Sequence, residues 1–306
     1  MNLTKTTDLS KITNLLLGKY PEAESIIVYG SYARNDGIDI QDIDISVFLS
    51  DCELSMLHIH ENNMFYDIVI VPVSELLPMS ALLDHPYKAG TYADAKVLYD
   101  KTGCMEKYLT DFRAAYADSI HFKTRVEWFI GELDMQYHKV LCVADEIDVH
   151  CRFANYVWIL CEAVLVANLK TSNWKRGLHI VSQTDTTIAD IIIEAEVHRT
   201  LNCEQALALL SLYSVLWNGE YWDFIKREAE WLIYNVSIPI GFHSLYICFM
   251  MGLENAAERE TLFSHWRNVT SEYTILPLVS IGMFGEFHIK MSKYLRNNAS
   301  KKQNIC

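Results

Sequence analysis

The spacing of apolar residues divides the sequence into two unlike parts, and in the first, up to about residue 103, strand-like runs alternate with helical segments. A first helix is predicted over residues 9–20. Its apolar face consists of Leu9, Ile12, Leu15 and Leu16. Runs rich in β-branched and aromatic residues predict strands at 25–30, 44–49, 64–71 and 96–100. Ser74 can cap a further helix that reaches about Leu83.

In the second part, after Cys104, apolar residues recur every three or four positions, which is the period of a helix. The predicted helices cover residues 105–118, 121–143, 151–170, 200–218 and 221–236. Residues 153–169 are the most apolar segment but are short for a membrane span, so we predict a buried helix there. We therefore predict an α+β protein in which a small mixed β-sheet domain, residues 1–103, precedes an all-α helical bundle domain, residues 104–306.

The candidate chemistry lies on the predicted strands and the turn after the first one. Gly30 and Ser31 follow a strand, and ten residues separate Ser31 from Asp42. Asp42 and Asp44 are two positions apart, so on a strand their carboxylates point to the same face. Asp67 lies within a third, otherwise apolar strand, where a carboxylate is costly to bury unless it is paired or bound to a metal.

Three clustered carboxylates repel one another unless a cation lies between them. Mg²⁺ prefers oxygen ligands of this kind together with substrate phosphates. Gly30 allows the backbone to turn sharply and to approach a ligand closely, and Ser31 offers a hydroxyl and an amide N–H to a phosphate. The pattern therefore predicts a magnesium site on Asp42, Asp44 and Asp67 beside a phosphate-binding turn.

This arrangement resembles the nucleotidyltransferase superfamily that includes DNA polymerase beta. The signature there is a Gly-Ser pair, about ten residues, Asp-x-Asp, and a third Asp on a later strand. The resemblance covers residues 12–103 and rests on Gly30, Ser31, Asp42, Asp44 and Asp67. Small size, acidic charge and a helical second part look most like the bacterial antibiotic nucleotidyltransferases, which adenylate aminoglycosides or lincosamides.

The resemblance implies a reaction and an antibiotic-resistance role as well as a fold. AMP would pass from ATP to a hydroxyl of a small-molecule acceptor with release of pyrophosphate, and the helical domain would bind the acceptor. Two Mg²⁺ ions would be held by Asp42 and Asp44, with Asp67 on the catalytic ion. Gly30 and Ser31 would hold the β- and γ-phosphates.

Three cationic residues are weaker candidates for nucleotide binding. Arg34 lies one helical turn beyond Ser31 and can reach a triphosphate, although a surface pair with Asp36 explains it equally well. The resemblance also implies a Lys from the helical domain on the triphosphate. Lys175 or Arg176 can fill that role, and a plain surface loop is the simpler interpretation of both.

Several acidic residues are candidates for the general base that the resemblance implies near the start of the helical domain. Glu127, Glu132 and Asp134 lie in a suitable region, and solvated helix positions are the default interpretation of each. Glu162 is a buried carboxylate that a structural salt bridge explains as readily. His58 and His60 can ligate a metal, but alternating residues on an edge strand are the simpler account.

The net charge of −13 limits the partners of the chain. Proteins that bind long nucleic acid usually carry a basic surface, so RNA-end nucleotide addition is disfavoured, whereas a cationic small molecule is attracted. Two alternatives stay open, which are a protein adenylyltransferase of the toxin–antitoxin type and a non-catalytic nucleotide-binding module. A homodimer that builds the site from both chains also stays open.

Cysteine spacing and the first residues bear on the compartment. None of the eight cysteines forms a C-x-x-C pair, which excludes a zinc ribbon and a thioredoxin-type redox motif. The first residues lack a basic segment followed by an apolar run, so no signal peptide is expected. A reducing cytoplasm is the expected compartment, with no membrane association.

Overall fold

A computed structural model describes most of the first 196 residues and one helix near the end of the chain. The described residues are 9–34, 42–61, 64–76, 78–142, 146–171, 177–196 and 281–303, together with the single positions 211, 230, 261 and 264. The chain divides into two compact units, residues 1–121 and residues 122–306.

A five-stranded sheet forms the centre of the first unit. Its strands are β1 (Ser25–Tyr29), β2 (Asp42–Leu49), β3 (Ser55–Glu61), β4 (Met64–Pro72) and β5 (Lys96–Asp100). Their order across the sheet is β3-β4-β2-β1-β5. β2 and β4 are parallel, whereas the other three neighbouring pairs are antiparallel. The sheet is therefore mixed, as predicted.

The strands match the predicted runs, with two differences at the site. β2 begins at Asp42 rather than at residue 44, so both carboxylates of the Asp-x-Asp pair lie on the strand. β3 was expected only as an edge strand that carries His58 and His60 and had no predicted bounds, because most of its residues are polar or exposed and no run of β-branched residues marks it. It lies at the edge of the sheet and carries His58 and His60, so the expected edge-strand position of these two residues is confirmed.

Helices cover both faces of the sheet in the first unit. They are α1 (Leu9–Lys19), α2 (Gly30–Arg34), α3 (Met79–Asp84), α4 (Lys88–Asp94) and α5 (Cys104–Tyr116). Ile12 and Leu16 of α1 are buried in one core with Ile43, Ile45 and Val47 of β2. The prediction was wrong for Leu15, which is 50% exposed because it lies to one side of the face that Ile12 and Leu16 bury.

The core on the other face packs the last residues of β2 and β4 against α3, α4 and α5. The single helix predicted from Ser74 to Leu83 is wrong, since a 3-10 helix, Val73–Leu76, comes first and α3 starts only at Met79. Pro78 precedes α3 and has no amide hydrogen to donate, and the residue before a proline avoids helical geometry.

The first unit continues beyond the sheet as far as His121. α5 follows residue 103 and packs Met105, Leu109 and Phe112 into the core with Phe48 of β2. The His121 ring, at the start of the next helix, lies with Nδ1 2.7 Å from Oδ1 of Asp84 in α3. The described helices on the sheet therefore extend past the predicted domain boundary at residue 103.

Helices account for every described element after β5. Those after α5 are α6 (Ser119–Leu141), α7 (Glu146–Ala167), α8 (Gly177–Thr184), α9 (Thr186–Glu196) and α10 (Ile281–Gln303). The predicted α+β class, with a mixed sheet followed by a helical region, is confirmed. The helices predicted at 200–218 and 221–236 lie outside the described residues, except for positions 211 and 230.

The apolar segment at residues 153–169 is the buried helix that was predicted. From Ile159 to Ala167 every side chain of α7 is buried, including the carboxyl-bearing Glu162. Of the helices in the described part of the chain, none is long and apolar enough to span a membrane.

Candidate metal centre

The candidate site is a row of four side chains that crosses four neighbouring strands of the sheet. Asp44 of β2 lies directly opposite Asp67 of β4 in the parallel ladder. His58 of β3 is the cross-strand partner of Asp67, and Tyr29 of β1 is the partner of Asp44. Because residues directly opposite in a sheet share a face, these four side chains lie beside one another.

Asp42 adds a third carboxylate to this row, because it precedes Asp44 by two positions on β2 and shares its face. One carboxylate oxygen from each of Asp42, Asp44 and Asp67 can be chosen so that all three lie within 4.8 Å of one another. All three residues are half-buried. Sequence reasoning placed them together, and the register between β2 and β4 explains how this occurs.

Gly30 lies against Asp44 so closely that no larger residue fits there without a shift. Its backbone has φ +70°, and a Cβ atom built on it would lie 2.2 Å from Oδ2 of Asp44. Positive φ is strained for residues with a side chain. Two independent features of the local geometry therefore require glycine at this position. Ser31 follows it within α2 and is half-buried.

Tyr29 extends the polar row on the side away from His58. Burial, and after it the charge of Asp44, raises the pKa of the Tyr29 hydroxyl well above its ordinary value, while a hydrogen bond with Ser46 opposes the rise. Asp67 contributes to the rise in pKa as well. Tyr29 therefore remains a neutral phenol beside the acidic cluster. Sequence reasoning missed it, although it immediately precedes the Gly-Ser pair.

His58 contacts the third carboxylate directly. Its Nδ1 atom lies 2.7 Å from Oδ1 of Asp67, and the ring stacks on Phe65 with centroids 5.8 Å apart. His60 lies farther along β3, is exposed, and has its ring centroid 6.3 Å from that of Phe65. Within the described residues, neither histidine belongs to a group of three candidate metal ligands. The sequence signal for His58 was the alternation on β3, which does not reveal the cross-strand partner.

The cationic candidates have different outcomes. Nη1 of Arg34 lies 3.2 Å from Oδ2 of Asp94 in α4, so Arg34 pairs with a residue 60 positions away. The predicted partner Asp36 lies outside the described residues. Lys175 and Arg176 lie outside them as well. Contact of Arg34 or Lys175 with a triphosphate stays a prediction.

The candidate general bases all lie on α6 in the second unit. Glu127 is exposed, and its carboxylate lies 3.5 Å from the ammonium of Lys123. Glu132 accepts a 2.6 Å hydrogen bond from Nε2 of Gln136, and Asp134 lies 3.0 Å from Nε2 of His288. Each of the three has a local partner, and the role of general base stays a prediction for all of them.

Glu162 is a further acidic candidate, and it lies inside the core of the second unit. It is completely buried, and a Cβ atom added to Gly177 at the start of α8 would lie 3.8 Å from its Oε1 atom. A buried carboxylate of this kind is stable only with compensating partners. The salt-bridge interpretation of Glu162 stays a prediction.

The donor set fits a hard divalent cation such as Mg²⁺ better than it fits zinc. Three carboxylates offer only oxygen, which hard cations such as Mg²⁺ prefer, and they leave coordination positions for water and phosphate oxygens. Zinc sites, by contrast, are usually built from Cys and His. A divalent cation would also offset the repulsion between carboxylates held within 4.8 Å.

Comparison with known proteins adds little to this geometry. No protein-family model and no curated protein matches the chain. Among solved structures, a nucleotidyltransferase-like protein from Exiguobacterium sibiricum matches with a TM-score of 0.39 and 9% identity, over 87% of this chain and 78% of that one. A likeness this low carries no argument about function.

Proposed function

We propose that this protein is a Mg²⁺-dependent nucleotidyltransferase that moves AMP from ATP to a hydroxyl of a small molecule and releases pyrophosphate. The observation that carries the proposal is the meeting of Asp42, Asp44 and Asp67 on one face of the sheet beside the Gly30-Ser31 turn. These five residues match the signature of the superfamily, and a carboxylate triad of this kind suits two-metal phosphoryl transfer.

Each residue of the site has a part in this reaction. Asp42 and Asp44 would hold both ions, and Asp67 would hold the catalytic one. When bound, the ions would lower the pKa of the attacking hydroxyl and stabilise the charge on the leaving pyrophosphate. Ser31 would donate hydrogen bonds to the β- and γ-phosphates, and Gly30 lets the backbone approach them. Tyr29, kept neutral by burial, adds no further negative charge to the acidic row.

The acceptor is a separate part of the proposal. A net charge of −13 favours a cationic small molecule, and aminoglycosides are polycationic alcohols. An aminoglycoside or a lincosamide is therefore the acceptor class to test first. ATP is the proposed donor because the antibiotic nucleotidyltransferases that the sequence resembles transfer AMP.

The test is pyrophosphate release by the purified protein with Mg²⁺-ATP and a panel of aminoglycosides and lincosamides. We expect release that depends on one compound, together with a mass increase of one AMP on that compound. Asp44→Ala should abolish turnover, because it removes a ligand of both ions, while far-ultraviolet circular dichroism stays unchanged. Full activity in Asp44→Ala would contradict the metal assignment.

The same assay separates the two alternatives. AMP found on a protein instead of on a small molecule would indicate protein adenylation. Tight ATP binding without pyrophosphate release, with every compound tested, would indicate a nucleotide-binding module.

A further inference from the structure

The contact between His58 and Asp67 is a feature of the site that the three carboxylates alone do not explain. An ionised carboxylate only accepts hydrogen bonds, so at 2.7 Å the Nδ1 atom of His58 must carry the proton and donate it to Oδ1 of Asp67. The two residues are direct partners across β3 and β4. The contact is thus part of the sheet register and not a chance meeting of two mobile side chains.

The His58 ring is itself held in place. It stacks on Phe65, with an angle of 29° between the ring planes, and Phe65 lies two positions before Asp67 on the same strand. The His58 and Asp67 side chains are 28% and 31% exposed, so solvent reaches both only in part. A donor fixed in this way holds its acceptor in one orientation.

Asp67 needs such a donor because of its other neighbour. Asp44 lies directly opposite it in the parallel ladder, and the two negative charges favour rotation of the carboxylates away from each other. A hydrogen bond from His58, on the side of Asp67 away from Asp44, offsets that tendency. A carboxylate has two oxygens with about four lone-pair sites, so one hydrogen bond leaves it able to bind a cation.

We propose that His58 is a positioning residue of the metal centre, whose Nδ1–H holds the Asp67 carboxylate in the orientation that lets it bind a divalent cation together with Asp42 and Asp44. This inference rests on the proposed function only for the existence of the metal site. Hydrogen-bond partners of metal ligands typically contribute about 10- to 100-fold to metal affinity.

The test measures Mn²⁺ affinity of the full-length protein without nucleotide, from the free Mn²⁺ signal in electron paramagnetic resonance. Three variants form the series. His58→Leu removes the donor, and His58→Asn keeps an N–H on Cγ, the atom that carries Nδ1 in His. His60→Leu removes the neighbouring exposed histidine near the same Phe65 and serves as the matched control.

We expect about 10-fold weaker Mn²⁺ binding in His58→Leu, recovery to within about threefold of wild type in His58→Asn, and no change in His60→Leu. The thermal unfolding temperature without metal should be similar in wild type and in all three variants. A purely structural role of His58 would instead lower it in His58→Leu. Equal Mn²⁺ affinity in wild type and His58→Leu, or equal losses in the Leu and Asn variants, would overturn the inference alone. If wild type binds no more Mn²⁺ than Asp44→Asn, the metal centre and the inference fail together.

Discussion

A histidine–carboxylate pair of the first unit and one of the second differ in what surrounds the same kind of hydrogen bond. In the first unit, His58 meets Asp67 at 2.7 Å. In the second, Nε2 of His288 lies 3.0 Å from Oδ1 of Asp134, and Nδ1 of the same ring lies 3.0 Å from the hydroxyl of Tyr156. Tyr137 stacks on the His288 ring with centroids 4.3 Å apart.

The second pair is complete within the protein. Because Asp134 accepts, His288 donates from Nε2, and Nδ1 is free to accept the hydroxyl hydrogen of the completely buried Tyr156. Burial, and after it the charge of Asp134, raises the pKa of that hydroxyl far above its ordinary value. Tyr156, His288 and Asp134 therefore form one chain of hydrogen bonds that ends on a single carboxylate, and no further ion is needed to explain it.

The first pair has an excess of negative charge. Asp67 meets His58 on one side and Asp44 on the other, with Asp42 in the same group. The comparison teaches that a hydrogen bond between histidine and carboxylate does not by itself mark a functional site. In the first unit it is the three carboxylates on one face that make a cation site possible.

The largest expected effect separates the two pairs by their response to metal. At a Mn²⁺ concentration 100 times the dissociation constant, wild type should gain about 2.7 kcal/mol in the free energy of unfolding. Asp44→Asn should lose this gain, and without metal it should be slightly more stable than wild type because repulsion falls. Asp134→Asn makes the same charge change in the second unit and should keep the gain. Denaturant titration with and without Mn²⁺ measures all three, and a loss in Asp134→Asn would contradict the comparison.

The next effect concerns the glycine beside Asp44. Gly30→Ala should lower the free energy of unfolding by about 2 kcal/mol, because it combines a strained positive φ with a Cβ contact against Asp44. It should also weaken Mn²⁺ binding. Gly131→Ala in α6 is the matched control, since a Cβ there meets nothing within 4 Å, and should stabilise the helix by about 0.5–1 kcal/mol. Equal stability of the Gly30→Ala variant and wild type would contradict the close contact.

A smaller effect is expected from the hydrogen bond between Tyr156 and His288 in the second unit. Tyr156→Phe should cost about 1–2 kcal/mol, because it removes the donor to the Nδ1 atom of His288 and leaves that acceptor without its protein partner. The stabilisation by Mn²⁺ should be unchanged. Chemical denaturation checks the first expectation, and a reduced Mn²⁺ response would show that the two polar clusters are coupled.

The smallest effect is a dependence on pH. Burial lowers the pKa of His288 below its ordinary value of 6.5, although the charge of Asp134 acts in the opposite direction. The unfolded chain then binds a proton at a higher pH than the folded protein, so stability falls as pH decreases through about 6.5 and is fully present above it. His288→Gln should reduce this slope between pH 7 and the lowered pKa. An unchanged slope in urea titrations would contradict the shift.

Sequence reasoning placed the three carboxylates together but did not reveal the contacts that His58 and Tyr29 make with them. The reason is physical. Alternation along one strand places Asp42 and Asp44 on one face whatever lies beside that strand. The contact between His58 and Asp67 depends instead on the register of two strands, and a shift of one residue would turn His58 to the other face. Tyr29 likewise becomes part of the row only through its pairing with Asp44.

The fold shows the same division between local and long-range information. Strong apolar periods predicted α5, α6 and α7 closely, because burial of one face determines them. Local rules that compete with the period caused the errors, as Pro78 does between the 3-10 helix and α3. The bounds of β3 were not predicted, because an exposed edge strand such as this one lacks a continuous apolar face.

The parallel pairing of β2 with β4 has a consequence for the order of folding. β3 and β4 are adjacent in sequence and form a local hairpin. β2 precedes this hairpin and pairs with its second strand, so all of β3 lies between β2 and β4 in the sequence. Contacts between distant segments require more loop closure and usually form later. Asp44 and Asp67 would then come together after the folding transition state, so a cation bound between them should slow unfolding and leave the folding rate nearly unchanged.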